Sequence, residues 1–329
     1  MTITQSPDAP LVVVCGATGT QGGSVIDALA ESDRAYRLRG LTRDKTKEKA
    51  ARLAARGVEM VQVDLVVPNE ERVHAAFEGA DVAFVRAVLV GAVTNFWEHT
   101  DKQRPLTAAQ EIDEGQMLVR AAHAARVSLL VWSGLEDKTA MSAGKYTRVA
   151  HFDSKAAVTR YARTTGVPLA VVQAWHYAAN YTGGRAPARE ADGRYVLRLA
   201  ADADGRMPVV DVGADYGLFV RAAIERPELG AGCELLSCGE MISLREMMAQ
   251  LSEITGRDIR FEEMSDAAFL AASTLPPRLA EEIRQSQRSH DEFGYYGKKD
   301  VAPSMKYLAR KPRTWAEFAK SQDWDAILK

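Results

Sequence analysis

The amino-acid sequence predicts an α/β protein, a doubly wound parallel Rossmann sheet with a smaller C-terminal α/β subdomain. Three observations predict this class. Short apolar runs alternate with helical patterns through the first half of the chain, a glycine-rich turn separates the first run from the first helix, and the alternation stops near residue 175. Repeated strand–helix alternation with right-handed crossovers produces a parallel sheet that helices cover on both faces.

The predicted strands of the first half are continuous apolar runs, which are typical of strands buried on both faces. They cover residues 11–15, 36–41, 58–63, the run that starts at Val82, 128–132 and 169–172. The helices between them have an apolar stripe or are rich in alanine and charge, and they cover residues 24–32, 45–56, 69–77, 111–125 and 150–164. Residues 11–175 therefore form the predicted Rossmann domain.

The second half has another order of elements. Its predicted strands cover residues 195–199, 233–236 and 259–261, and its predicted helices cover 214–225, 243–255, 267–272 and 278–285. Ser243 and Glu246 have the spacing of a capping box at a helix start. We expect residues 176–329 to form the smaller domain, with some segments returning to the Rossmann sheet. Residues 1–10, polar and with two prolines, are predicted to be a disordered tail.

The composition excludes several classes of protein. A net charge of -2 leaves no lysine and arginine excess for direct nucleic-acid binding. No apolar run reaches the ~20 residues of a membrane span, and the N-terminus lacks the pattern of a signal peptide. The histidines and cysteines have no metal-ligand spacing, so no metal site is expected. Three cysteines, Cys15, Cys233 and Cys238, are too few for a disulfide framework and fit a reducing compartment, the cytoplasm or the nucleus.

The glycine-rich turn has the order strand, turn, helix that a dinucleotide requires. It reads Gly16-Ala17-Thr18-Gly19-Thr20-Gln21-Gly22. One glycine turns the chain out of the strand, another lets backbone amides approach a pyrophosphate, and the last lets the helix pack on the sheet. The helix N-terminus then faces the phosphates with its partial positive charge. We therefore expect dinucleotide binding here.

The end of the second predicted strand distinguishes NADP from NAD. Arg43 comes first, with Lys45 and Lys47 behind it, and an arginine here can bind the additional phosphate of NADP(H) with its planar fork. Asp44 is adjacent, and a carboxylate here would accept the ribose hydroxyls of NAD. Arg43 favours NADP(H), and Asp44 leaves NAD as an alternative cofactor.

Several short motifs together resemble the NmrA-like family, atypical members of the short-chain dehydrogenase/reductase superfamily. They extend over nearly the whole chain and comprise Gly16-Ala17-Thr18-Gly19-x-Gln21-Gly22-Gly23, Thr42-Arg43, Val93-Thr94-Asn95-Phe96-Trp97-Glu98, Ser133-Gly134-Leu135-Glu136 and His151-Phe152-Asp153-x-Lys155. One departure is an extra stretch at residues 85–91, before the Thr94 motif.

The resemblance implies an NADP(H)-binding Rossmann domain and a regulatory role. The cofactor would contact Gly16 to Gln21, Arg43, Asp64, Leu65, Thr94, Asn95, Phe96, Lys155, Tyr177 and Asn180. The member that gives the family its name regulates transcription through a GATA-type factor, and a human relative is described as a redox sensor. A regulatory protein partner and a homodimer are therefore expectations for this chain.

The superfamily's reductases use a Tyr-x-x-x-Lys pair on one helix face, with a serine that orients the substrate carbonyl. Ser133 and Lys155 occupy the serine and lysine positions, but His151 replaces the tyrosine. A neighbouring Lys155 ammonium would favour neutral imidazole, which is a poor acid. Tyr146 and Tyr161 lie off the face of Lys155.

Three hypotheses follow. The preferred one is a nucleotide-sensing negative regulator that acts through a protein partner. The second is an NADPH-dependent reductase of quinone- or isoflavone-like molecules, in which Ser133, His151 and Lys155 would be catalytic. The third is a structural protein that only keeps the fold.

Overall fold

A computed structural model describes residues 3–85, 107–174, 176–226 and 228–329. Its main sheet has seven parallel strands in the order β11-β6-β5-β4-β1-β2-β3. These strands are β1 (Leu11–Cys15), β2 (Arg37–Thr42), β3 (Glu59–Gln62), β4 (Val82–Val85), β5 (Leu129–Trp132), β6 (Leu169–Gln173) and β11 (Glu234–Leu236). The order reverses between β1 and β4, so the carboxyl ends of these two strands border the crevice where doubly wound sheets bind ligands.

Helices cover both faces of this sheet. In the first half they are α1 (Thr20–Ala30), α2 (Glu48–Ala55), α3 (Glu70–Phe77), α4 (Ala108–Ala124), α5 (Lys138–Met141) and α6 (Ala150–Thr164). Successive β1 side chains enter different cores: Val12 and Val14 pack in the larger cluster with α1, whereas Val13 and Cys15 pack with α3, α4 and α6. Alternate side chains of the strand therefore point to opposite faces of the sheet, and helices cover both faces, as in a doubly wound sheet.

The second half adds two three-stranded sheets, β12-β10-β7 and β13-β9-β8. Their strands are β7 (His176–Tyr177), β8 (Ala188–Arg189), β9 (Tyr195–Leu199), β10 (Met207–Val210), β12 (Glu240–Ile242) and β13 (Ile259–Glu263). The helices are α7 (Val212–Glu225), α8 (Leu244–Thr255), α9 (Asp266–Ala272), α10 (Pro277–Phe293), α11 (Ala302–Met305), α12 (Trp315–Lys320) and α13 (Trp324–Ile327). β11 does return to the main sheet, where it pairs with β6.

A close helix contact joins the two halves of the chain. Gly217 of α7 donates its backbone N–H to Ser24 Oγ of α1 at 2.9 Å. A Cβ at Gly217 would lie 2.0 Å from the backbone oxygen of Ser24, so only glycine allows the two helices to approach this closely. α7, from the C-terminal half, thereby fixes α1, the helix that begins at the glycine turn.

Most predicted elements are present, and three differences are instructive. α1 begins at Thr20, four residues before the predicted start. α10 continues to Phe293, past the predicted end at residue 285, and buries one face. Residues 1–10 were predicted to be a disordered tail, yet among the described residues of that segment Ile3 forms a bridge with Tyr36 and Ala9 is buried. Within the described ranges, no helix has the length and apolar character needed to cross a membrane.

Candidate functional site

The glycine turn has the geometry that the sequence predicts. Gly16 leaves β1 with φ +66, in the left-handed region that favours glycine. Gly19 is the N-cap of α1, and no side chain in the described residues caps that end. A Cβ at Gly22 would lie 2.3 Å from the carbonyl oxygen of Gly16, so the helix can pack against the turn only without a side chain there. With no capping side chain among the described residues, the backbone amides in the first turn of α1 can bind a phosphate.

The residues after β2 include the predicted phosphate-binding arginine and the carboxylate beside it. Asp44 Oδ1 accepts hydrogen bonds from Thr46 N at 2.9 Å and Thr46 Oγ1 at 2.6 Å. These bonds from Thr46 lower the pKa of the Asp44 carboxyl below its usual range. Asp44 is therefore engaged in forming the turn into α2, while Arg43 and Lys47 are exposed at the same edge.

The residues after β3 lie at the same carboxyl edge of the sheet. Leu65 is buried, and Asp64 is half-buried with its carbonyl oxygen accepting a hydrogen bond from Asn69 Nδ2 at 2.9 Å. The predicted contacts Thr94, Asn95 and Phe96 lie outside the described residues.

A buried polar network joins three of the predicted residues. Gln21 Nε2 donates to Tyr177 Oη at 2.7 Å, and Ser133 Oγ donates to Gln21 Oε1 at 3.2 Å. The three side chains come from α1, the end of β5 and β7, and all are buried. Asn180 is also buried, in the 3-10 helix Ala178–Thr182 that follows β7. The fold thus brings together Gln21, Ser133 and Tyr177, which are far apart in the sequence, and the hydroxyl of Ser133 donates to a protein acceptor.

Lys155 has a protein partner that the sequence did not indicate. Its Nζ forms an ion pair with Glu111 Oε1 of α4, and the two side chains are only 8% and 3% exposed. Ser154 donates to the other oxygen of the same carboxylate. The predicted role of Lys155 was to hold a ribose and assist a proton donor, and here its ammonium balances a buried carboxylate.

His151 faces Glu282 of α10. Its Nδ1 lies 2.6 Å from Glu282 Oε1, and its backbone N–H donates to the same oxygen at 3.0 Å. Burial acts to raise the pKa of Glu282, but the hydrogen bonds and charge of His151 outweigh it and lower that pKa. From the sequence, the neighbouring Lys155 ammonium was the group predicted to act on the His151 imidazole. The structure differs because a carboxylate from the C-terminal half contacts the imidazole ring.

Tyr146, just before α6, does not replace the tyrosine that is missing at position 151. Tyr146 Oη donates to Glu292 Oε2 at 2.9 Å, at the C-terminal end of α10. Burial and that carboxylate raise the pKa of Tyr146, which makes the phenol a weaker acid. Each of the four side chains thus contacts a protein partner: Ser133 contacts Gln21, Tyr146 contacts Glu292, His151 contacts Glu282 and Lys155 contacts Glu111.

Sequence reasoning missed three buried charges around α6, namely Glu111, Glu282 and Lys138. Lys138 is fully buried, and its Nζ donates to the carbonyl oxygens of Tyr295 at 3.0 Å and Gly294 at 3.2 Å. Burial lowers the pKa of Lys138 to about 7, against the opposing effect of nearby carboxylates. A signal for Glu111 was available, because it shares the apolar face of α4 with Gly115 and Leu118.

Comparisons with known proteins agree on one family. The NmrA-like family model matches residues 8–319. The NmrA-like family domain-containing oxidoreductase malD of Malbranchea aurantiaca is 31% identical over 266 residues, which cover 76% of this chain and 74% of the relative. The corresponding oxidoreductase FrzB of Cladobotryum sp is 27% identical over 267 residues, which cover 77% and 75%.

Solved structures share the fold at low identity. NmrA, a negative transcriptional regulator crystallised in complex with NADP, has a TM-score of 0.78 at 20% identity and covers 97% of both chains. The NADPH-dependent quinone oxidoreductase QOR2 of Escherichia coli, complexed with NADPH, has a TM-score of 0.73 at 22% identity, covering 94% of this chain and 98% of that one. With a family match over nearly its entire length and a seven-stranded Rossmann sheet, this chain belongs to the NmrA-like family.

Proposed function

We propose that this protein binds NADP(H) at the glycine turn and acts as a nucleotide sensor rather than as a catalyst. The observation that carries the proposal is the pairing of α6: Lys155 is neutralised by Glu111, and His151 is paired with Glu282. The dinucleotide cradle is preserved while the residues expected to donate a proton are engaged with carboxylates. Such a site can bind a cofactor without a positioned acid to complete a carbonyl reduction.

The residues present fit a dinucleotide. No side chain in the described part of the protein caps the start of α1, and the close approach of Gly22 to Gly16 forms the tight turn that a pyrophosphate needs. Arg43, with Lys47 behind it, would bind the additional phosphate of NADP(H). When bound, the nicotinamide supplies hydride chemistry, and the buried Gln21 and Tyr177 would limit the access of water on this side of the crevice.

The proposed regulatory function requires a protein partner. NmrA, whose fold this chain shares, is described as a negative transcriptional regulator. By that likeness we propose a regulatory protein as the partner, such as a GATA-type factor, and a location in the cytoplasm or nucleus. Cofactor redox state would act by binding two conformations of the protein with different affinity, since a ligand shifts an equilibrium only by its differential affinity.

Cofactor titration is the first test. Thermal unfolding of the purified protein is followed with NADPH, NADP and NADH, and a ligand at 100 times its Kd should add about 2.7 kcal/mol to the unfolding free energy. We expect shifts with NADPH and NADP that exceed the shift with NADH. The absence of a shift with all three would refute both the sensor and the enzyme.

The second candidate is an NADPH-dependent reductase of quinone- or isoflavone-like molecules. It is favoured by the malD and FrzB relatives, which are named oxidoreductases, and by the fold shared with QOR2. A screen of quinones and enones for NADPH oxidation separates the two functions. Turnover that persists in Lys49→Ala, an exposed lysine, but disappears in a Lys155→Ala protein that urea unfolding shows to be folded under the assay conditions would establish the enzyme. Absence of turnover, together with partner capture that differs between NADP and NADPH, would establish the sensor.

A further inference from the structure

A second concave site lies in the C-terminal half of the chain. This cavity has a volume of about 190 Å³, and its lining residues fall between Ala201 and Lys298. It therefore shares no lining residue with the predicted cofactor site. An apolar cavity of roughly 150 Å³ accommodates benzene, so this one can hold a side chain of similar size together with polar atoms.

One wall of the cavity is apolar and preformed. Met207 and Leu244 are buried there, and the rings of Tyr295 and His290 stack with centroids 3.7 Å apart and an interplanar angle of 12°. Tyr295 is held in place because its hydroxyl lies 3.2 Å from His176 Nδ1, and both residues are buried. A ligand that binds here meets a rigid hydrophobic surface and does not have to order it.

The cavity also has charges of both signs. Arg206 and Asp291 are each paired with a protein charge, at 3.1 Å and 3.2 Å respectively. Asp202 and Lys298 are exposed and make no ion pair within the described ranges of the chain. The backbone N–H of Asp202 donates to Asp291 Oδ2 at 3.1 Å, which fixes the Asp202 backbone beside the cavity. Asp202 Oδ1 accepts a hydrogen bond from the backbone N–H of Asp204 at 3.0 Å, which leaves the other carboxylate oxygen and the Lys298 ammonium to bind a ligand.

The backbone at Lys298 is strained. Lys298 has φ +63, and Gly294 and Gly297 in the same short segment also have positive φ, at 73 and 62. A left-handed conformation costs a residue with a side chain roughly 1–2 kcal/mol. Strain of this kind is concentrated at ligand clamps and switch regions, and Lys298 is one of the residues that line the cavity.

We propose that this cavity binds a small zwitterionic amino acid with an apolar side chain. Its carboxylate would bind Lys298, its ammonium group would bind Asp202, and its side chain would pack on Met207, Leu244 and the edge of Tyr295. Each charge of the ligand then meets an opposite charge, and neither the cavity nor the ligand carries an unbalanced ion. The volume of about 190 Å³ accommodates a free amino acid or a molecule of that size.

The test uses L-leucine and two analogues that each lack one charged group. Isoamylamine lacks the carboxylate and 4-methylpentanoate lacks the ammonium, while both keep the side chain. Calorimetric titration of the full-length protein should show saturable binding of leucine, at least tenfold tighter than either analogue. Equal binding of an analogue, or no binding of leucine, would overturn the proposal.

Two single-residue variants test whether leucine binds in this cavity. Lys298→Met and Asp202→Asn remove one charge each from exposed positions, and each should weaken leucine binding at least tenfold without lowering the melting temperature. Lys320→Met, at the exposed end of α12, is the matched control and should bind leucine like the original protein. Unchanged affinity in Lys298→Met would place the leucine elsewhere and refute the proposal, even if Asp202→Asn failed to fold.

Discussion

Gly22→Ala tests whether the glycine turn binds the dinucleotide. The added Cβ would lie 2.3 Å from the carbonyl oxygen of Gly16 and 2.9 Å from Ala17 Cα, whereas ordinary contacts begin near 3.4 Å. Because the atoms in the way are backbone, the start of α1 must move away from the turn by about 1 Å. Overpacking of this kind costs roughly 1–3 kcal/mol, of which the better helix propensity of alanine returns at most about 1 kcal/mol.

The loss of NADPH binding should exceed what the change in stability explains. A displacement of about 1 Å moves the first-turn amides away from the phosphate they would bind, and misplacement on this scale can cost on the order of 100-fold. We expect NADPH affinity to fall at least tenfold in Gly22→Ala. Fluorescence titration with NADPH measures the affinity, and urea unfolding measures the stability in the same buffer.

The neighbouring glycine provides the control. A Cβ at Gly23 would lie 3.8 Å from Ala17 O, an ordinary contact, so Gly23→Ala should keep NADPH affinity. Its unfolding free energy should be unchanged or raised by up to about 1 kcal/mol, because alanine is favoured over glycine in a helix. If Gly22→Ala and Gly23→Ala bind NADPH equally well, the turn does not hold the dinucleotide and the reasoning fails.

Three further predictions follow from the charges of the site. Lys155→Met should lower the unfolding free energy by about 3–5 kcal/mol in urea unfolding, because it leaves Glu111 buried and unpaired. Adding Glu111→Leu should restore most of that loss. A Lys155→Met protein as stable as the original would contradict the pairing. Arg43→Ala should weaken NADPH at least tenfold and NADH little in parallel titrations, with Lys49→Ala as the control; equal loss for both cofactors would remove Arg43 from the additional phosphate. Burial lowers the pKa of Lys138 from its ordinary value of 10.5 to about 7 in the folded protein. Between these pH values the unfolded chain therefore binds more protons than the folded one, so the unfolding free energy should rise with pH, by at most about 1.4 kcal/mol per pH unit. Lys138→Met should flatten this rise in urea midpoints measured from pH 7 to 10, and an unchanged slope would show that another group titrates.

The local sequence pattern was sufficient to predict the bounds of elements whose own apolar residues mark them as buried. β1, α6 and β9 have the predicted bounds, because a continuous apolar run or a clear apolar stripe defines each. The start of α1 was not predictable in this way. Gly22 and Gly23 have low helix propensity, yet the close approach of Gly22 to Gly16 makes glycine necessary inside the helix. The tertiary contact overrides the propensity.

The end of α10 was missed for a related reason. Its C-terminal half is polar and charged in the sequence, but Arg284 and Arg288 both bind the carboxylate of Asp266, at the start of α9. Asp266 precedes Arg284 by 18 residues, so no helical spacing reveals the contact. The same helix buries Glu282 on its other side, and its polar composition therefore reflects paired rather than solvated side chains.

The two carboxylates that define the candidate site share one property. Glu111 lies on the buried face of α4 and Glu282 on the buried face of α10, and a carboxylate on a buried face requires a cationic or hydrogen-bonding partner. Both partners lie on α6, four residues apart, at Lys155 and His151. Glu111 therefore ties α6 to the Rossmann layer, and Glu282 ties it to the C-terminal half. In reductases of the superfamily this helix presents a proton donor to the substrate. Here Lys155 pairs with Glu111 of α4 and His151 with Glu282 of α10, so these two positions connect α6 to a helix from each half of the protein.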